Sequence, residues 1–535
     1  MIHRSIFISA ACLTFAGHGR RLQMARRPTT GSSGEDLRLW AESDLPAVCA
    51  RLFLAGDVIA GWQFPTTGCV KRRRCRSAKC MPSSPAALCR TLPVQMSTSF
   101  WRSAIGRPSG DWLEALSDVF ERLSIDLSDE RPDLVLLFIP KRHERSLSDL
   151  VNAAAAKYSP KLLVGAVGFG VMGNGIELDG GQPGISMLVS KFPRDTELAL
   201  FTMTAEKEPV WSEIFQSQPQ AVTTADDKSA SAPRPGFLIF SDPFSFVNGA
   251  LKCIDQAWPT SVVAGCFTSA SESSPSLAIY EAGYRPTILR EGSLVGIGIR
   301  GPNVEMHSTT APGVAPLGPT FTVTKGSGNR VVELDGVSAL RIMRTVMDAK
   351  DGDEFMDKAE EQGLIVGVST RADGCDDEEE EFVVRAILGI TIDTSDLVIG
   401  GRVTANKTRL RFHVRDQNAA ASELSLLFQR YNLNRQFSGR FAPAEGQEVP
   451  KPMAALCFSS DGRGSSDDLF DKGERPAHDT TNFQSSFGDD VPLAGLFCGG
   501  EIGPVGVSGI FKEGKQTYVH ALASVFALLW DTTPT

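Results

Sequence analysis

LAGLFCGGEIGP, residues 493–504, is an apolar run of strand length that ends in small residues and then breaks into a turn. The same arrangement stands twice earlier, as LLVGAVGFGVMG from Leu162 and VVAGCFTSASES from Val262. Three copies of one pattern imply that an α/β unit has been reused. They also raise the expectation that its small-residue loops converge on one site.

The surroundings of each copy agree. A helix is expected over Trp112–Leu123, whose Leu113, Leu116, Val119, Phe120 and Leu123 share a face. DLVLLFIP (Asp133–Pro140) reads as a buried strand, and Ser146 with Asp149 reads as a helix start of the capping-box kind. LLVGAV, GISMLVSKFP and TELALFTM then supply three strands. After a polar spacer, Gln216 to Pro235, the order returns as FLIFSD, FSFVNGALKCIDQAW, SVVAGC, LAIYEAG and SLVGIGIRG. TFTVTKGSGNRVVEL predicts a hairpin through Gly326–Asn329, and Asp335 or Ser338 is placed to cap the helix ALRIMRTVM. Strands follow at LIVGVS, FVVRAILGITI and RLRFHV, then a helix from about Ala419 to Tyr431. AALCFSS, LAGLFCG and a final strand at YVHALASVFALLW complete the pattern. The expected fold is α/β (mixed α+β): internally duplicated strand-helix-strand-hairpin units, with mixed sheets flanked by helices.

The 535 residues are 42% hydrophobic and 22% charged, enough for two or more domains with cores of their own. Residues 1–110 hold 16 Lys+Arg against 5 Asp+Glu, and the remainder 38 against 58, so a basic head precedes a body of net charge −20. An acidic body repels phosphate backbones, which argues against a nucleic-acid partner. No apolar run approaches the length needed to span a bilayer, so a soluble intracellular protein with no membrane partner is expected. The 11 cysteines have no paired spacing, and Cys69, Cys75 and Cys80 lack the short knuckles of a zinc site. DGCDDEEEEF (Asp373–Phe382) reads as a solvated loop. No metal and no cofactor are expected.

Met1–Gly34 is free of acidic residues and Arg-rich, as in a cleaved leader for a plastid, mitochondrial or secretory route. A gene-model extension, with translation starting at Met81 or Met96, explains it equally well. The compartment is accordingly cytoplasmic, or organellar if the leader is genuine.

Glycine at a strand end lets a ligand approach backbone N–H donors, so the turns after the apolar runs are the natural place for chemistry, although a glycine there also serves simply to turn the chain. GFGVMGNG lacks the Lys-Ser/Thr of a phosphate-binding loop. His520 has no partner placed by sequence to make it a general base, and a structural role suits it better. Cys457 and Cys498 lie in apolar strands and read as packed and inert.

FSSDGRG (Phe458–Gly464), the Gly-Glu-Ile-Gly-Pro loop at 500–504 and the late strand around His520 together resemble the C-terminal half of the FIST domain, the F-box and intracellular signal transduction family. APGVAPLGPTFTVTKGSGNRVVELDGVSALRIMRTVM (Ala311–Met347) is similar to that family's junction. The resemblance covers roughly residues 111–531. It divides the chain into an N-terminal extension, 1–110, a FIST N-like domain, 111–325, and a FIST C-like domain, 326–535. It implies a sensory or recognition module in signal transduction, with a small amino-acid-like ligand, a protein partner, or both.

Ser460, Arg463, Gly464, Gly500, Glu501, Gly503, Pro504 and His520 carry the ligand-binding expectation. Arg463 offers a planar fork for a carboxylate, while Glu501 accepts an amine or pairs with Arg463 as a structural bridge. Two positions depart from the family's pattern: Ser460 stands where many members have Cys, and Ala523 where a Thr commonly stands. Some relatives place an F-box first and act as ubiquitin-ligase adaptors. DLPAVCARLFLAGDVIAGW (Asp44–Trp62) resembles that motif's Leu-Pro start and late Trp, but it is short and Gly56 and Gly61 weaken its helices. The second reading is therefore an F-box-type adaptor that binds Skp1. The third is a hydrolase or transferase using Cys498, Glu501 and His520.

Overall fold

The computed structural model describes residues 99–124, 131–215, 233–269, 274–347, 364–370, 381–391, 394, 396–437, 450–464, 477–510 and 515–533. Three strand-helix-strand units recur in it. The first is strand Leu134–Pro140, helix Leu147–Tyr158 and strand Leu162–Gly168. The second is Gly236–Ser241, Val247–Ala257 and Val262–Phe267, and the third Ala454–Ser460, His478–Phe487 and Leu493–Cys498. Within each unit the two strands pair in parallel, and the register repeats: Leu137 faces Gly165, Ile239 faces Gly265 and Cys457 faces Gly495. These strands are continuously apolar because both faces are covered.

Each first strand also carries an antiparallel neighbour, Ser186–Lys191, Leu294–Arg300 or Ser524–Asp531. Beyond that lies a further strand, Phe100–Ile105, Glu197–Met203 or Val304–Ala311. On the other side the units exchange hairpins. Gly170–Gly173, which follows the first unit, pairs with Leu493–Cys498 of the third. Glu501–Gly503, which follows the third, pairs with Val262–Phe267 of the second. Leu277–Glu281, which follows the second, pairs with Leu162–Gly168 of the first. The exchange closes a cycle, so the three sheets form a pseudo-threefold ring.

The inner faces of the three sheets meet in one core. The fifth residue of each first strand is counted from Leu134, Gly236 and Ala454, and is Phe138, Phe240 and Phe458. Their rings touch pairwise with centroids 6.1, 6.4 and 5.7 Å apart, two of the contacts edge-to-face. Helices cover the outer faces: Trp112–Leu123 and Leu147–Tyr158 over the first sheet, Val247–Ala257 over the second, and His478–Phe487 with Gln417–Phe437 over the third.

The described strands between Val314 and Arg415 form an antiparallel barrel. Its ring runs Val314–Leu334, Asp396–Thr404, Phe382–Thr391, Ile365–Ser369 and Arg409–Arg415, and closes because the long first strand pairs with both Asp396–Thr404 and Arg409–Arg415. Helix Ala339–Val346 packs Leu340 and Met343 onto its core.

Three local expectations change. Gly326–Asn329 does not turn a hairpin: the strand continues through it with a register shift between Gly328 and Arg330, because a single bent strand serves both sides of the barrel. YVHALASVFALLW is two strands in two sheets, Tyr518–His520 and Ser524–Asp531, broken where Leu522 takes a φ of +64°. Ser146 and Ser338 both sit at helix starts without a side-chain capping bond; side-chain caps are instead made by Asp111, which accepts from the Leu113 N–H, and by Asp416, which accepts from the Ala419 N–H at 2.6 Å. No helix among the described residues is long and apolar enough to cross a membrane.

Candidate functional site

The three small-residue turns do converge. At the carboxyl ends of the second strands, Phe169 N–H donates to Phe497 O, Ser269 N–H to Val167 O and Phe267 N–H to Gly500 O, each at 2.8 Å. Backbone bonds therefore stitch unit three to one, one to two and two to three. In α/β sheets this end of the strands is where ligands are taken up.

Beside the ring stands a sealed polar cluster. A short helical turn, Asp461–Arg463, follows the first strand of unit three and aims Arg463 at Asp479, in the first turn of the unit's helix. Arg463 Nη2 donates to Asp479 Oδ1 at 2.8 Å and Nε to Oδ2 at 3.3 Å, the side chains being 0% and 3% exposed. Ser459 Oγ donates to Asp479 Oδ2 at 2.6 Å, Ser524 Oγ bonds the same oxygen, and His478 Nδ1 lies 2.9 Å from Oδ1. Burial opposes the charge on Asp479, but Arg463 and His478 outweigh it and hold the carboxyl well below the usual range.

Arg463 Nη1 is buried with no hydrogen-bond partner. Its charge also reaches Glu423, whose carboxylate accepts the Gly313 N–H at 2.6 Å and is pushed up by burial. Glu177, from the hairpin lent by unit one, accepts both the Thr480 N–H at 2.8 Å and its hydroxyl at 3.1 Å. Burial, and then the charge of Asp479, push the Glu177 carboxyl upward. Gly464 has to be glycine because a Cβ there would fall on the Asp179 carboxylate.

Glu501 has a different environment. Its Oε2 accepts the Ala523 N–H at 2.9 Å and its Oε1 the Cys498 thiol at 3.5 Å, and burial pushes its carboxyl up to about 8. His520 lies opposite Glu501 in the strand register, with Nε2 3.1 Å from Gly503 O, and burial drives its imidazole down to about 4. Gly500 packs against the Phe267 ring, Gly503 against Thr310 and Val525, and Pro504 is buried behind them. Ser460 is also buried and bonds through its N–H to Ala523 O at 3.0 Å.

All eight expected ligand-binding residues are thus interior. They fall into two groups, Ser460, Arg463 and Gly464 on one loop and Gly500, Glu501, Gly503, Pro504 and His520 on another. The acid that Arg463 grips is Asp479; Glu501 feels the guanidinium only as a nearby charge. Sequence reasoning missed Asp479, Glu177 and Glu423. An acid opening a helix was the available signal for the first, while the other two arrive from distant segments. Burial pushes the Cys457 and Cys498 thiols far up, in keeping with packed, inert groups.

The model of the FIST N domain matches residues 133–337 and that of the FIST C domain residues 339–504. The chain carries a FIST N domain and a FIST C domain. The FIST N match holds units one and two and the barrel's long strand, while the FIST C match holds the remaining barrel strands and unit three through Pro504. The chain is 26% identical over 385 residues to an uncharacterized protein of Mycobacterium tuberculosis, covering 71% of this chain and 88% of the relative. It is 24% identical over 383 residues to an uncharacterized protein of Mycobacterium bovis, again 71% and 88%. At the two positions where the chain departs from the FIST pattern, the Ala523 contact to Glu501 is made by backbone, so no hydroxyl is required for it. The F-box-like stretch, Asp44–Trp62, lies outside the described residues.

Proposed function

We propose that this FIST protein is a non-enzymatic sensing and recognition module whose ligand carries a carboxylate and an amine, as an amino acid does. The supporting observation is the free arm of Arg463: Nη1 is a buried guanidinium donor with no acceptor among the described residues, and buried donors of this kind nearly always have a partner. A ligand carboxylate supplies that acceptor. Ser460 and Gly464 lie on the loop of Arg463, and the separate Gly500–Pro504 loop, with Glu501 and His520, is the group offered to the amine end. Because these residues are interior, entry requires the loop at Asp461–Gly464 to open from the barrel, to which Arg415 ties it by donating to Gly462 O. The buried, protonated Cys498 thiol argues against the nucleophilic reading, and a native-state thiol that resists alkylation is the expected result.

The test is a thermal-shift titration of the full chain with the proteinogenic amino acids. Ligand that binds the folded state alone stabilises it by about 2.7 kcal/mol at a hundredfold excess over Kd and so raises the melting temperature with concentration. Arg463→Lys, measured against its own ligand-free melting temperature, should lose the response. A screen with no shift, or a shift unchanged by the substitution, removes the reading. Capture of Skp1 by the full chain would instead favour the adaptor reading.

A further inference from the structure

Phe100–Ile105, Glu197–Met203 and Val304–Ala311, which hold equivalent places in the three pseudo-equivalent sheets, are finished differently on their outer edges. Val304–Ala311 of the third sheet carries an added antiparallel strand on its outer edge: Ser308 faces Ser508, Thr309 faces Val507, and Thr310 N–H donates to Gly506 O at 2.8 Å. Phe100–Ile105 of the first sheet has an exposed Arg102 at its centre, a charge of the kind that guards an edge against strand addition. Among the described residues, Glu197–Met203 of the second sheet has neither device. It is the last strand of its sheet, pairs with Leu294–Arg300 in unbroken register over all seven residues, and contains no Lys, Arg or Pro.

Its side chains are also unfinished. Leu198, Ala199 and Leu200 are only half-buried, Leu198 and Leu200 packing toward the central core and Ala199 toward the helix-covered face. Apolar groups on both faces of a bare edge are what a further strand would cover. Val210, 60% exposed, follows a few residues on.

We propose that Glu197–Met203 is a self-association edge, on which a second copy of this chain adds the same strand antiparallel about a twofold axis at Leu200. This register sets Leu200 against its own copy, Ala199 against Phe201, Leu198 against Thr202 and Glu197 against Met203. No like charges meet, since the one acid of the strand falls at the two ends and already pairs with Arg300 at 2.9 Å. The occupied edge of the third sheet shows that this position accepts an antiparallel strand. A seven-residue pairing buries less than the roughly 1,200 Å² of a standard interface, so the expected dimer is weak and reversible.

Sedimentation velocity of the full chain across about 1–100 µM is expected to show a reversible monomer–dimer equilibrium. Leu200→Lys places two ammonium groups face to face at the axis and should weaken the dimer by about tenfold or more. Leu426→Lys, on the exposed side of helix Gln417–Phe437, should leave it unchanged. If Leu200→Lys does not fold, the half-exposed Thr202→Lys makes the same test on the same face. Amides of 198–202 should gain exchange protection as concentration rises. A chain that stays monomeric throughout, or a dimer indifferent to both edge substitutions, overturns the proposal, and in the first case leaves the edge to some other strand.

Discussion

Arg463 donates to Asp479 across 2.8 Å in a setting where neither side chain is more than 3% exposed. The pair joins the loop after one strand of unit three to the helix of the same unit, while Ser459, Ser524 and His478 supply the remaining partners of the carboxylate. A buried pair of this kind is weak evidence for net stability, but breaking it strands a charge.

Arg463→Met should therefore destabilise by about 3–5 kcal/mol in equilibrium urea unfolding, because Asp479 is left ionised inside or must take up a proton. Asp479 alone contributes stability above its ordinary range near 3.8 that is lost as pH falls through its depressed folded value. The wild type should accordingly lose stability on acidification that Arg463→Met no longer has to lose.

Truncating Phe138, Phe240 or Phe458 to Ala should cost about 3–5 kcal/mol each. The three rings hold equivalent places in one contact triangle, so the three penalties should agree more closely with one another than with that of Phe321, whose contacts lie in the barrel.

Gly265→Ala and Gly495→Ala should be harsher than Gly165→Ala. At the first two a Cβ would fall on the backbone carbonyl of the register partner, Ile239 or Cys457, which cannot move without breaking the sheet. At Gly165 it meets the Val151 side chain, 2.7 Å away, which can rotate. The expected costs are about 3 kcal/mol or more against about 1–2 kcal/mol, read from urea midpoints.

Glu501 is raised from 4.5 to about 8, so its contribution to stability is complete below 4.5 and is lost as pH rises through 8. His520, lowered from 6.5 to about 4, acts in the other sense: its contribution is complete above 6.5 and is lost as pH falls through 4. Above pH 6.5 only the acid changes, at up to about 1.4 kcal/mol per pH unit. Glu501→Gln removes that slope, so between about pH 7 and 9 its melting temperature should fall less than that of the wild type. Glu177 slopes the same way in both proteins and cancels from the difference.

Much of the fold was legible. Continuous apolar runs such as Leu134–Pro140 and Leu493–Cys498, alternating with amphipathic helices, declared mixed sheets with helices over them, and the repeated small residues declared a repeated unit. The barrel was less legible, because the Gly-rich stretch at 326–329 has turn composition yet bends a continuous strand. Of the site, Arg463 and Glu501 were visible as chemistry, but their partners were not: Glu177 and Thr480 are 303 residues apart, Gly313 and Glu423 110.

By itself the sequence determined what each segment becomes, since hydrophobic period, strand length and turn residues act within a few positions of the chain. Tertiary structure alone decided where the segments go. The hairpins pair with neighbouring sheets rather than their own, and the cyclic exchange brings Phe138, Phe240 and Phe458 into one shared core. That exchange carries Glu177 to Asp479 and Glu501 to Cys266, and so sets which charges are neutralised and which carboxyls stay protonated in the dry interior.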